Sequence, residues 1–138
     1  MMRIERGDRF DPEAQAFDDA AWAEWDAAQG HVWEEQPITL TVRREGRVMG
    51  TARGWIGMRM AYLYSIIVRP EDRSAGIGAQ LLAAFEQAAE EAGVRRLALR
   101  TKQGNPAQRF YERHGWHVEA EFPDWYHGET YVQMRKDL

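Results

Sequence analysis

The chain has no cysteine among its 138 residues. This absence excludes disulfide bonds, thiolate metal sites and a cysteine nucleophile. The sequence also lacks an apolar run of the ~18 residues that a membrane-spanning helix needs. Its first ten residues mix charges with apolar side chains, unlike a secretory signal. Together these features predict a cytoplasmic protein without a membrane partner.

The chain has no excess of basic residues, since 18 Lys and Arg stand against 22 Asp and Glu and give a net charge of −4. A dedicated nucleic-acid-binding domain is usually basic, so no nucleic-acid partner is expected. The charges are uneven, however. Residues 1–36 hold ten acids and three bases, a balance of −7, and residues 37–138 hold twelve acids and fifteen bases, a balance of +3. This favours either a solvated acidic helix face or a basic site for an anion, rimmed by acids.

The length, the 44% of hydrophobic residues and the absence of linkers or repeats predict one domain over residues 1–138. Within it, Met2 to Arg6 resembles a short strand. Asp11-Pro12 is typical of a helix start, and helical spacing then continues to about Gly30. Trp22 and Trp25 fall on the apolar stripe of this helix and are therefore predicted to be core residues.

From Pro37 onward, alternating apolar and polar residues predict an antiparallel meander of three strands that ends at Val68. The run from Leu63 to Val68 is nearly all apolar, as in a central strand covered on both faces. A helix at about 77–92, a strand at 95–101, a helix at 105–114 and strands at 116–122 and 129–135 follow. This order predicts an α+β fold with one sheet.

The segment from Val68 to Ala79 combines a strand end, a polar loop and a helix start. A helix N-terminus offers unpaired N–H groups and a partial positive charge to an anion. Gly76 and Gly78 would let a phosphate approach the backbone, and Arg73 adds positive charge. The segment lacks the Gly-Lys-Ser/Thr of a P-loop and the third glycine of a dinucleotide fingerprint. A different type of phosphate cradle is therefore expected.

The pattern Arg73-x-x-Gly76-x-Gly78-Ala79 resembles the pyrophosphate-binding motif of the GNAT superfamily of acyl-CoA-dependent N-acetyltransferases. Residues 105–116 are similar to the second signature of that family, in which a helix carries an alanine and, four residues later, a tyrosine. The matching residues are Ala107, Tyr111, Gly115 and Trp116. The family asparagine lies seven residues before the tyrosine, where this chain has Gly104 and the asparagine, Asn105, comes one residue later. The resemblance covers about residues 37–138.

The resemblance implies an α+β fold with a mixed, mostly antiparallel sheet of about six to seven strands. This sheet would be splayed at its centre and flanked by about three helices. The resemblance also implies acetyl-CoA as cosubstrate, no metal, and direct acetyl transfer to a primary amine of a small molecule or a protein. Direct transfer needs no enzyme nucleophile, which agrees with the absence of cysteine. Family analogy further implies a homodimer.

The resemblance also implies a set of cofactor-binding residues. The pantetheine arm would pair with the strand end like an added strand, and the backbone N–H of Val68 would polarise the thioester carbonyl. Tyr111 would act as the general acid that protonates the leaving thiolate. The complete cofactor-binding set is Ile66, Ile67, Val68, Arg73, Ser74, Ala75, Gly76, Ile77, Gly78, Ala79, Thr101, Asn105, Ala107 and Tyr111.

The sequence does not identify a general base, because residues 62–65 supply no carboxylate. A water held by Tyr64 is one candidate, and loop residues that could rim the acceptor site are the others: Glu34, Glu35, Asp124 and His127. The acids among them favour a cationic small molecule or an exposed amino group on a protein as the acceptor. The missing strand carboxylate also leaves a second function open, a non-catalytic acyl-CoA-binding or sensing module.

Overall fold

A computed structural model describes residues 1–138 as two compact units, Met1–Trp33 and Glu34–Leu138. The first unit contains one helix, α1 (Pro12–Gln29). Its N-terminus is capped by Asp11, whose carboxylate accepts a hydrogen bond from the N–H of Ala14 at 2.8 Å. Its C-terminus is closed by Gly30, at a φ of 72°. The predicted helix and both of its ends are confirmed.

Two predictions for the first unit are wrong. No residue of α1 is buried, and Trp22 and Trp25 are each 59% exposed rather than core residues. Helical periodicity shows which side chains share a face, but it does not show whether another element covers that face. Residues Met2 to Arg6 form no strand, because a strand needs a neighbour that pairs with its backbone groups.

The second unit is built on one six-stranded sheet with strand order β1-β2-β3-β4-β6-β5. Only the pairing of β3 with β4 is parallel. This architecture confirms the predicted α+β fold with a mostly antiparallel sheet and three α-helices in the chain. The elements are β1 (Gln36–Arg44), β2 (Arg47–Gly57), β3 (Met60–Val68), α2 (Ile77–Glu91), β4 (Arg96–Lys102), α3 (Pro106–Arg113), β5 (His117–Phe122) and β6 (Tyr131–Asp137).

Helix α2 connects β3 to the parallel strand β4, and α3 connects β4 to β5, which also runs parallel to β4. Both connections step in the same direction across the sheet. Because such connections are right-handed, the two helices lie on the same face of the sheet. Leu81, Leu82 and Phe85 of α2 pack there against Leu63 and Leu97 of the sheet. We call this side the helix face and the opposite side the open face. Tyr64 and Ile67 of β3 are each 58% exposed on the open face. The prediction that both faces of β3 are covered is therefore wrong.

The sheet opens at its centre. Strands β3 and β4 pair from Met60↔Arg96 to Leu63↔Leu99 and no further, although β3 continues to Val68. A bulge marks the point of separation, since Tyr64 has no partner in the register with β2. A bulge bends a strand and increases its twist, which turns the rest of β3 away from β4. The predicted splay at the centre of the sheet is confirmed.

None of the helices is long and apolar enough to span a membrane.

Candidate active site

The gap between β3 and β4 exposes an unpaired strand edge. The N–H of Arg69 donates to the carbonyl oxygen of Met49 on β2 at 3.2 Å. Because hydrogen-bonding direction alternates along a strand, the N–H of Ile67 also points to β2, and those of Ile66 and Val68 point into the gap. The gap can therefore accept an extended chain that carries its own amide groups.

One end of the gap meets the N-terminus of α2. The helix begins after Gly76, at a φ of 76°, and no side chain caps it. The first intrahelical bond runs from the N–H of Gln80 to the carbonyl oxygen of Gly76 at 3.0 Å. The N–H groups of Ile77, Gly78 and Ala79 therefore have no intrahelical acceptor. A Cβ on Gly76 would meet nothing within 4 Å, and one on Gly78 would make only ordinary contacts, the nearest with Phe110 at 3.6 Å.

Two arginines supply positive charge around these N–H groups. Arg73 donates from Nε to the carbonyl oxygen of Val68 at 3.2 Å, and Arg113 reaches the same place from the end of α3. One carboxylate, that of Asp72, also lies here, 4.0 Å from Nε of Arg69. These groups line a pocket of about 290 Å³, which we call the cradle. Its N–H donors and guanidinium groups suit a phosphate or pyrophosphate.

A larger cleft of about 650 Å³ adjoins the cradle and shares Arg73, Gly78 and Arg113 with it. It runs along β3 to α3, so the open strand edge and the cradle lie on one continuous surface. Nine residues of the predicted cofactor-binding set line this cleft: Ile66, Ile67, Val68, Arg73, Ser74, Gly78, Asn105, Ala107 and Tyr111.

The cradle adds Gly76, Ile77 and Ala79, so twelve of the fourteen predicted residues line one of the two cavities. Ala75 and Thr101 line neither cavity. The prediction overlooked Phe110 and Arg113, which line both. Their spacing of three residues from each other, and of three from Ala107 to Phe110, places them on one face of α3 and could have identified them.

Tyr111 reaches the cleft from the buried side of α3. Its side chain is 7% exposed, and its ring contacts Phe110 and Trp116 at centroid distances of 5.2 and 5.8 Å. Burial raises the pKa of Tyr111 to about 12, because a charged phenolate is poorly solvated there. The phenol is therefore protonated at neutral pH and can donate a proton into the cleft.

Asn105 has a structural task in addition to its place in the cleft. Its side-chain oxygen caps α3 by accepting a hydrogen bond from the N–H of Gln108 at 3.0 Å. The hydroxyl of Thr101 donates to the same oxygen at 3.4 Å. Thr101 thus supports Asn105 rather than lining the cleft. Only the side-chain amide of Asn105 is left to bind a ligand.

The candidate bases lie at different ends of the sheet. Glu34 and Glu35 precede β1, and the carbonyl of Glu34 packs against Gly57 at the end where β3 and β4 are paired. Asp124 and His127 lie between β5 and β6, at the end where β3 and β4 separate. No cluster of three or more residues has the composition and geometry to hold a metal ion.

The chain was compared with known proteins. The model of the Acetyltransferase (GNAT) family matches residues 1–116. A candidate ribosomal protein bS18-alanine N-acetyltransferase of Bacillus subtilis is 31% identical over 77 residues, which are 55% of this chain and 51% of that protein. The L-methionine sulfoximine/L-methionine sulfone acetyltransferase of Pseudomonas aeruginosa is 29% identical over 109 residues, 75% of this chain and 60% of that protein. The chain thus spans about half to three fifths of the length of these relatives.

Solved structures show the same fold. The crystal structure of a candidate acetyltransferase from Agrobacterium tumefaciens superimposes with a TM-score of 0.81 at 24% identity, covering 99% of this chain and all of that one. A candidate streptothricin acetyltransferase from Bacillus anthracis, solved with acetyl coenzyme A, gives a TM-score of 0.70 at 21% identity. That match covers 80% of this chain and 67% of the other.

Proposed function

The chain belongs to the GNAT family of acetyltransferases, and on this premise we propose that it moves the acetyl group of acetyl-CoA directly to a primary amine. The observation that carries the proposal is the continuity of the unpaired β3 edge with the uncapped start of α2. An extended pantetheine arm would pair with the backbone groups of Ile66 and Val68. The pyrophosphate would bind the N–H groups of the cradle.

The transfer itself needs no covalent enzyme intermediate. The amine nitrogen attacks the thioester carbon, a C–N bond forms, and the carbonyl oxygen becomes an oxyanion that the N–H of Val68 can stabilise. A donor of this kind contributes roughly 3–4 kcal/mol. The C–S bond then breaks, and the thiolate of coenzyme A takes the phenolic proton of Tyr111. Tyr111 regains a proton from solvent, and the proton lost by the amine goes to a base or to water.

The acceptor is an amine whose class the relatives leave open. One relative is named for an alanine of a ribosomal protein and another for methionine sulfoximine, a small molecule. The proposal therefore includes both a protein acceptor and a small-molecule acceptor. A cytoplasmic location and a homodimer stay predictions.

The test is to incubate the full chain with acetyl-CoA and a panel of amines and to follow thiol release, with acetylated product identified by mass. Release that requires both substrates is the expected result. A second function has one specific observation in its favour, since residues 62–65 hold no carboxylate base. Acetyl-CoA binding without turnover on any amine would support that function, a non-catalytic acyl-CoA-binding or sensing module, against the transferase.

A further inference from the structure

We propose that Arg100 binds a carboxylate of the acceptor, so that the amine substrate is a free amino acid with an apolar or aromatic side chain rather than the N-terminus of a protein. The inference rests on the proposed function and names the class of acceptor for the same site.

Arg100 lies on β4 at the edge of the gap. Leu99 is the last residue of β4 that pairs with β3, so Arg100 is the first residue on the β4 side of the gap. Ala98 pairs with Tyr62, which places the side chains of Tyr62, Ala98 and Arg100 on the open face. Arg100 thus stands at the entrance to the gap on the side opposite the helices.

Arg100 differs from other cations of the open face in its charge partners. Two other cations on the open face, one on β4 and one on β6, have carboxylate partners, since Lys102 pairs with Glu129 at 2.7 Å and Arg135 pairs with Asp137 at 3.0 Å. Arg100 has no such partner. Its only side-chain hydrogen bond runs from Nε to the side-chain oxygen of Gln133 at 3.4 Å. The side chain therefore extends from the edge of the gap over β6 towards Phe122 on β5, and no carboxylate compensates its charge.

The guanidinium group of Arg100 lies over the ring of Phe122. Its central carbon lies 4.9 Å from the centroid of the Phe122 ring, so one face of the group is stacked on an aromatic ring. Stacking fixes a planar guanidinium but leaves the N–H donors at its edge available, and these match the two oxygens of a carboxylate. Arg100 is therefore held in place with only its Nε donor used.

Aromatic side chains form walls on both sides of Arg100. On the β3 side, Tyr62 packs against Trp55 and Tyr64 at centroid distances of 5.9 and 5.2 Å. Tyr62 is the partner of Ala98, two residues before Arg100 on β4. Burial raises the pKa of Tyr62, and the positive charge of Arg100 opposes that rise. On the other side, Trp125 and Tyr126 are 44% and 55% exposed. Such walls suit an apolar or aromatic side chain next to the carboxylate.

The experiment compares free amino acids with their primary amides, which keep the amine and the side chain but lose the carboxylate. With acetyl-CoA saturating, kcat/KM for L-phenylalanine, L-leucine and L-methionine is expected to exceed that of the matching amides by about 10- to 100-fold, as for a hydrogen bond to a charged group. Arg100→Gln is expected to remove this preference by lowering kcat/KM for the acids only. Arg100→Lys keeps the positive charge but lacks the planar guanidinium group, and it should retain part of the preference for acids over amides.

Arg96→Gln is the matched control, because Arg96 lies on the same strand and face as Arg100 but at the paired end. It should leave the preference unchanged, and acetyl-CoA affinity should be unchanged in all three variants if they are folded. Equal rates for acids and amides, turnover of peptide N-termini alone, or equal losses on both substrates in Arg100→Gln would overturn the carboxylate assignment while leaving the transferase intact. No turnover with any amine would instead reject the transferase.

Discussion

The helix face and the open face of the sheet contribute different groups to the same gap. The helix face offers mainly backbone: the edge of β3, the uncapped N–H groups of α2 and one buried phenol, that of Tyr111. The open face offers side chains, namely the aromatic walls and Arg100. Backbone groups suit a cosubstrate that is common to every reaction, and side chains can select one acceptor. Variants on the two faces should therefore fail in different ways.

The largest effect is expected for Tyr111→Phe, which removes the phenolic proton and keeps the ring that packs on Trp116. Loss of a general acid lowers kcat by about 100-fold. Because the proposed role of Tyr111 is to protonate the leaving group, the loss should be the same for every acceptor, and acetyl-CoA affinity should be unchanged. Steady-state kinetics on two unrelated amines and titration calorimetry measure these quantities. An unchanged kcat across the pH range would refute the assignment.

A smaller effect is expected for Gly76→Ala. Gly76 and Gly93 have nearly equal φ angles of 76° and 78°, and a Cβ on either would meet nothing within 4 Å. Alanine at either site therefore adds similar backbone strain, which lowers the free energy of unfolding by about 1 kcal/mol. Only Gly76 begins the cradle, so only Gly76→Ala should also weaken coenzyme A binding, by about 10-fold for one misaligned charged hydrogen bond.

The two glycine variants are to be compared by urea denaturation and by titration calorimetry with coenzyme A. Equal affinities in the two variants would contradict the cradle, whatever their stabilities. Neither variant should alter the relative rates with different acceptors, because neither residue lies on the open face.

The third prediction concerns the free energy of unfolding at alkaline pH. Burial raises the pKa of Tyr111 from about 10 to about 12, so the folded chain keeps this proton while the unfolded chain loses it. The contribution of this protonated phenol to the free energy of unfolding is fully present below pH 10 and is lost as the pH rises through 12. Between pH 9 and pH 11 the free energy of unfolding of the wild type should fall by about 1.4 kcal/mol more than that of Tyr111→Phe, which is the equivalent of one pKa unit.

Tyr62→Phe on the open face provides the comparison for that measurement. Burial also raises the pKa of Tyr62, but the positive charge of Arg100 opposes the rise. Between pH 9 and pH 11 the free energy of unfolding should fall less in both variants than in the wild type. The difference from the wild type should be smaller for Tyr62→Phe than for Tyr111→Phe. Urea unfolding curves of the wild type, Tyr111→Phe and Tyr62→Phe at pH 9 and pH 11 measure these differences. A larger difference for Tyr62→Phe than for Tyr111→Phe would contradict the buried position of Tyr111.

The helix face could be predicted closely from the sequence, for physical reasons. Gly76 occurs where a φ of 76° favours glycine before a helix start, and Asn105-Pro106 occurs where a helix must be capped. Such constraints act between neighbours in the chain. The strands of the meander were likewise predictable, because alternation in residues 37–68 reflects one buried face.

The exposure of the α1 side chains and the groups that meet on the open face were not predictable in this way. Trp22 lies on an apolar stripe that periodicity identifies, but periodicity does not reveal that its side chain is 59% exposed. Arg100 appears in the sequence as the polar position of an alternating strand. Its proposed role depends on the register with β3, the missing carboxylate partner and the ring of Phe122. None of these has a local pattern.

Hydrogen exchange of three consecutive amides of β3 tests the central claim most directly, that acetyl-CoA occupies the missing part of the β3 ladder. The N–H of Ile67 points to β2, and those of Ile66 and Val68 point into the gap. The account predicts fast exchange at Ile66 and Val68 in the free protein, strong protection of one or both at saturating acetyl-CoA, and no change at Ile67. Saturation with acetyl-CoA that leaves Ile66 and Val68 exchanging as before would contradict it.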